Sequence, residues 1–150
     1  MAVTASGLFV TTWIDVLDTT QLALDLDLET HKIALFSDTI TPNFSSDTAY
    51  GVAPYNANEV SGTGWAAGGV ALTGTALTDD PAGTIKWDAT DVSETGTTLT
   101  NAMAGLIYAD ALAGNNAILL VDFVTAVSTV AGTLTITWAA GGIFTIDLTP

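Results

Sequence analysis

The chain has 150 residues, 49% of them apolar, no cysteine, and sixteen acidic residues against two basic ones, Lys32 and Lys86, for a formal charge of −14. That length makes one domain with a real core, and the missing cysteines exclude a disulfide framework and a thiolate zinc site. The charge balance excludes the cationic footprint that nucleic acid requires and any attraction to an anionic membrane surface.

Residues 1–7, MAVTASG, are small and without periodicity. They read as a frayed terminus or as an extended arm that orders on a neighbour, with Ala2, Val3, Leu8 and Phe9 as candidate interface residues. The first ten residues lack the basic and long apolar regions of a signal peptide. Residues 8–18 read as a short helix. Phe9, Trp13, Val16 and Leu17 share one face at i, i+4, i+7 and i+8, with Phe9 and Trp13 as its core side.

Residues 21–29, QLALDLDLE, alternate in the manner of a strand or an extended loop. Leu22, Leu24, Leu26 and Leu28 share one side; Asp25, Asp27 and Glu29 share the other. On a strand these carboxylates would stand roughly 6–7 Å apart. Calcium accepts such oxygens, so Asp25, Asp27 and Glu29 are weak metal candidates. The turning glycine of a calcium loop is missing, and a solvated acidic face is the preferred reading. Residues 31–37, HKIALFS, form a strand with Ile33 and Leu35 on one face. His31, the only histidine, is expected at a solvated strand edge. Residues 38–55 form a loop punctuated by Pro42, Asn43, Asp47, Gly51 and Pro54, packed on the surface or used for contact.

Residues 58–75, NEVSGTGWAAGGVALTGT, hold five glycines. Gly64 and the Gly68-Gly69 pair are expected at positive φ or at close backbone approaches, with Trp65 as the apolar anchor between them. Residues 69–74 then alternate as a half-buried strand. No strand–GxGxxG–helix context and no lysine or arginine occurs here, so phosphate binding is not read from the glycines.

Residues 79–83, DDPAG, make a turn. Residues 84–89 form a strand with Ile85 and Trp87 on one face, and residues 90–98 a polar connection. Two strands, 102–110 and 116–127, join across residues 111–115. The stretch AILLVDF within the second is a central strand, apolar on both faces. Residues 133–138 and 143–148 flank a turn at 139–142, a hairpin with Leu134, Ile136 and Trp138 inward. Trp13, Trp65, Trp87, Trp138, Phe123 and Phe144 are the expected anchors of the core. The pattern is mainly β: an antiparallel β-sandwich, jelly-roll- or Ig-like, of about seven or eight strands with a short N-terminal helix. Residues 1–150 form a single domain, with the sandwich beginning at residue 22.

No reaction can be read from these residues. His31 has no nucleophile-elbow partner, and the carboxylates are spread along polar faces, so neither a Ser-His-Asp site nor a glycosidase pair is specified. An enzyme is not expected, and no cofactor is implied. Eighteen charged side chains must serve a surface of roughly 7,000 Å². Threonine, serine, glycine and alanine therefore form much of it, which favours burial against neighbours.

Several pieces look familiar together: Asp25-Leu26-Asp27 before Lys32-Ile33-Ala34-Leu35-Phe36; Thr41-Pro42 and Asp47-Thr48-Ala49-Tyr50; Asn58-Glu59-Val60-Ser61-Gly62-Thr63-Gly64-Trp65 with Gly68-Gly69; Ile107-Tyr108; Val121-Asp122-Phe123; and the ending Gly142-Ile143-Phe144. In these the chain resembles small β-rich structural proteins of tailed bacteriophages, from about Leu22 onward. The resemblance implies a virion component, first a capsid decoration (cement) protein. Such a protein lies on the outer face of the head, is made in the host cytoplasm, and contacts the major capsid protein and copies of itself. A trimer would fit, because decoration proteins often sit at threefold positions. The resemblance does not separate this from a tail or fibre-base protein, and it carries over no active site. A different class, a carbohydrate-binding surface sandwich, would use exposed aromatics, with Trp65, Tyr50 and Tyr55 as candidates.

Overall fold

A computed structural model describes residues 3–28, 30–80 and 83–149. Among them are one helix, α1 (Val10–Leu17), and nine strands: β1 (Gly7–Leu8), β2 (His31–Phe36), β3 (Glu59–Val60), β4 (Val70–Ala71), β5 (Ala76–Asp80), β6 (Thr84–Asp88), β7 (Val92–Ala109), β8 (Ala117–Ile136) and β9 (Phe144–Asp147). The chain is mainly β and its strand pairs are antiparallel. The larger sheet has the order β1-β8-β7-β2-β3, with β4 also on β2; the smaller has the order β5-β6-β9.

The continuous apolar runs of β2 and of the central part of β8 follow from their position. Both faces of the larger sheet are covered, so alternation gives way to apolar residues throughout. One face carries Ile33, Leu35, Ile107 and Leu119 into a cluster with Trp65, Leu72 and Trp87. The other carries Ala34, Phe36, Leu106 and Leu120 into a second cluster with Phe9, Ile40 and Tyr55. Fully burying one such aliphatic side chain stabilises the fold by roughly 1.5–3 kcal/mol, which makes these positions the least tolerant in the molecule.

The β7–β8 pair is a long ribbon with a break in its middle. Ala104 faces Asp122, but Ala102 faces Val127, so β8 spends three more residues than β7 there. Asn101 and Val124 take positive φ at this point, 56° and 64°. A bulge of this kind bends and twists the ribbon. Beyond it, Val92, Leu99, Leu134 and Ile136 join the same cluster as Ile33 and Ile107. One strand pair thus serves two walls of one core.

Three expectations change, and for residues 21–28 the structure selects the extended loop over the strand. Residues 90–98 are not a polar connection: all but the first two belong to β7, whose Ser93 and Glu94 pair with Thr135 and Leu134. The C-terminal hairpin forms its turn, with the Gly142 N–H donating to the Ala139 carbonyl at 2.8 Å. Its arms then part, residues 133–136 to β7 and β9 to β6. Residues 21–29 join no ladder among those described. Their alternation is nevertheless expressed as burial, with Leu26 inside and Asp25 and Asp27 outside. Asp79 and Asp80 end β5 rather than occupying the turn to β6, while Pro81 and Ala82 lie outside the described residues.

The expected anchors divide by depth. Trp65 and Trp87 are fully buried; Trp13, Trp138, Phe123 and Phe144 are half-buried and pack on the same cluster. Phe144 stands between two indoles, 5.7 Å from Trp13 and 5.5 Å from Trp87. It joins α1 to the smaller sheet.

Candidate functional site

The N-terminal residues were candidates for a docking arm, and the structure assigns them elsewhere. Val3 is buried, and its N–H donates to the Asp38 carboxylate at 2.9 Å. Gly7 and Leu8 form β1 on Leu120 and Leu119. Phe9 is fully buried, its ring 5.8 Å from Tyr55. Val3 and Phe9 are therefore core residues and unavailable to a partner. Leu8 stays half-buried and reachable, and Ala2 lies outside the described residues.

The helix presents a different face from the one its first stripe suggests. The Thr11 and Thr12 hydroxyls donate to the carbonyls of Asp47 and Ala117 at 2.7 and 2.5 Å, which pins that side inward. Val10, Ile14 and Leu17, also at i, i+4 and i+7, are left outside; Ile14 is 54% and Leu17 82% exposed. With Leu8, Trp13 and Asp18 they line an open cleft of about 440 Å³. Sequence reading missed this face and placed Leu17 with Phe9 and Trp13, although the spacing of Val10, Ile14 and Leu17 was a usable signal.

Two carboxylates of the acidic row are engaged by backbone N–H groups. The Asp25 carboxylate accepts the Asp27 N–H at 3.0 Å, and the Asp27 carboxylate accepts the Leu77 N–H at 2.6 Å. Both act as backbone caps that fasten the 21–28 loop. Glu29 lies outside the described residues, and among the described residues no group of three or more acidic or histidine side chains could hold a metal ion.

His31 is a correction of another kind. It is only 1% exposed, and its Nε2 donates to the Asp25 carbonyl at 2.6 Å. Its ring stands edge-on to Trp87. Burial lowers its pKa below the ordinary 6.5, against the opposing pull of the Asp25 carbonyl and charge. Among the described residues nothing nucleophilic bonds to it.

The glycine-rich stretch behaves as a fastened cover over the larger sheet. Gly64, Gly68, Gly69 and Gly74 all take positive φ. A Cβ on Gly69 would lie 1.9 Å from the Ile33 carbonyl oxygen, so only glycine allows that approach to β2. Tyr50 lies stacked on Tyr108, ring centroids 4.5 Å apart. Burial, with the hydrogen bond to Glu59, pushes the Tyr50 hydroxyl up to about 12. Trp65 and Tyr55 are buried, so neither offers a ring face to a sugar.

Each lysine already has a carboxylate neighbour, Lys32 with Asp110 at 3.0 Å and Lys86 with Asp88 at 3.8 Å. These pairs are partly exposed and contribute little to stability. They do leave the outer surface without a cluster of positive charge. No protein-family model, curated protein or solved structure matches the chain. The most specific functional feature among the described residues is thus the exposed apolar face of α1.

Proposed function

We propose that this protein is a non-enzymatic structural component of a tailed-phage virion, and within it a decoration (cement) protein on the outer face of the head. The observation that supports this best is the unburied row Val10, Ile14 and Leu17 beside Leu8 and Trp13. A lone acidic domain gains nothing from keeping such a row in water. Covering each side chain with a partner would contribute up to roughly 1.5–3 kcal/mol. The occupant proposed is the major capsid protein, and a shell offers this small contact many times over, as cementing requires. The charge of −14 suits an outer surface and not one facing packaged DNA.

The test uses heads stripped of this protein and purified protein added back. Wild type should bind and raise the resistance of the heads to heat and osmotic shock. Ile14→Asp and Leu17→Asp should weaken binding roughly tenfold or more, the equivalent of one lost apolar burial. Equal resistance with and without bound protein would overturn the cement reading. Binding to purified tails but not to heads would move the protein to the tail.

A further inference from the structure

The sheet edges differ in one respect that bears on how two copies of this chain meet. In the smaller sheet, β5 carries Asp79 and Asp80 and β9 carries Asp147. In the larger sheet, β3 is only two residues long, and its Glu59 carboxylate is turned in to the Gly68 N–H and the Tyr50 hydroxyl. Carboxylates at an edge repel an identical edge, and a very short edge strand offers little to pair with, so both of these edges resist a second copy. On the outer side of β8 the one carboxylate is Asp122, which turns back to accept the Val124 N–H at 2.8 Å; beyond it the strand carries none. β1 covers it at Leu119 and Leu120, the Ser6 hydroxyl accepts the Asp122 N–H, and among the described residues no strand pairs with that side from Val121 to the end of β8. No charged side chain occurs between Asp122 and Asp147. The partner strand is equally neutral between Glu94 and Asp110. So is the adjoining loop, where the Thr98 N–H donates to the Thr63 carbonyl. Within this neutral area Val124 and Val130 are 79% and 87% exposed.

We propose that a second copy of this chain docks here, β8 against β8 and antiparallel about a twofold axis. Each copy carries −14, and two copies approaching by the edges of the smaller sheet bring Asp79, Asp80 and Asp147 together. This face lets them meet while their charges stay distant. A twofold contact also consumes both free edges at once and closes, whereas a head-to-tail contact would leave one edge open to further addition. The inference concerns self-association alone and stands apart from the virion reading, which rests on the α1 face.

Sedimentation equilibrium at micromolar concentration tests it. Wild type should run at twice the 15.3 kDa of the chain. Val130→Asp and Thr133→Asp, both on exposed positions, should run as monomers with unchanged melting temperature. Ile14→Asp should remain a dimer, which separates this surface from the capsid-binding one. Added salt should leave the wild-type dimer intact or tighten it, because no ion pair holds it and the remaining repulsion is screened. A monomeric wild type, a Thr133→Asp protein that still dimerises, loss of the dimer in Ile14→Asp, or a threefold stoichiometry would each overturn the proposal.

Discussion

Glu59 holds Gly68 in place across nine residues: its Oε1 accepts the Gly68 N–H at 2.6 Å while its Oε2 accepts the Tyr50 hydroxyl at 2.9 Å. The Gly68 carbonyl in turn accepts the Tyr108 hydroxyl at 2.8 Å. Gly68 is thereby tied on its N–H side to the loop, through Glu59 and Tyr50, and on its carbonyl side to β7 through Tyr108. Between the tied ends, Gly62 and Trp65 exchange backbone hydrogen bonds at 2.8 and 3.1 Å, which fixes the indole beneath the cover.

Glu59→Ala should therefore lower stability by about 1.5–3 kcal/mol, the range for hydrogen bonds to a charged group. Glu59→Gln should cost less, since one amide oxygen still accepts while the amide nitrogen cannot. Urea denaturation with an unchanged slope measures both. Equal losses in the two variants would mean that a neutral acceptor recovers nothing and that the whole effect depends on the carboxylate.

Trp65→Ala should cost about 3–5 kcal/mol, because the indole is almost wholly buried and its loss leaves a cavity. The indole Nε1 is buried without a hydrogen-bond partner. Trp65→Phe removes that unpaired donor along with some volume, so its cost should be under half that of Trp65→Ala. A Phe variant as unstable as the Ala variant would show that the fit of the indole, and not the volume it fills, sets the cost.

The same stretch shows what was legible in the sequence. Glycines and a lone tryptophan announce a backbone that must come close and a ring that must go inside, and both occur. The apolar run of residues 117–123 is legible for a similar reason, since burial on both faces leaves no polar period. Pairing partners were not legible. Residues 133–138 alternate and are followed by a proper turn, yet their ladder is with β7, which is distant in sequence. Residues 21–28 alternate without a ladder because their groups bond elsewhere: the Leu26 carbonyl takes the Trp87 indole N–H at 2.8 Å, and the Asp27 carbonyl takes the Thr75 hydroxyl at 3.0 Å. The α1 face was missed because Phe9, read as helix core, is the extended residue before the helix.

Gly69→Ala and Gly51→Ala form a matched pair. Both glycines take positive φ, 75° and 83°, so both variants bear the left-handed strain of roughly 1–2 kcal/mol. Gly51 has open space where a Cβ would go, whereas Gly69 faces the Ile33 carbonyl. Gly69→Ala should be clearly the more destabilising of the two in thermal melts. Equal shifts would show that β2 yields at no cost.

His31 makes stability depend on pH in a predictable direction. Its Nε2 must carry the proton to reach the Asp25 carbonyl, which leaves Nδ1 bare, buried and unpartnered. Protonating Nδ1 would place a charge and an unmatched donor beside the Trp87 ring, in keeping with the downward shift caused mainly by burial. The Asp25 charge opposes that shift without reversing it. The folded pKa thus lies below the unfolded value of 6.5. Above 6.5 neither state takes up the proton. As the pH falls below it, the unfolded chain binds a proton that the folded chain refuses. Stability drops by up to about 1.4 kcal/mol per pH unit and levels off once the folded pKa is passed. His31→Gln keeps a donor for the Asp25 carbonyl but cannot titrate. Between about pH 7 and pH 5, the wild-type unfolding free energy should fall more steeply than that of His31→Gln. Parallel curves for the two proteins would show that His31 titrates alike in both states.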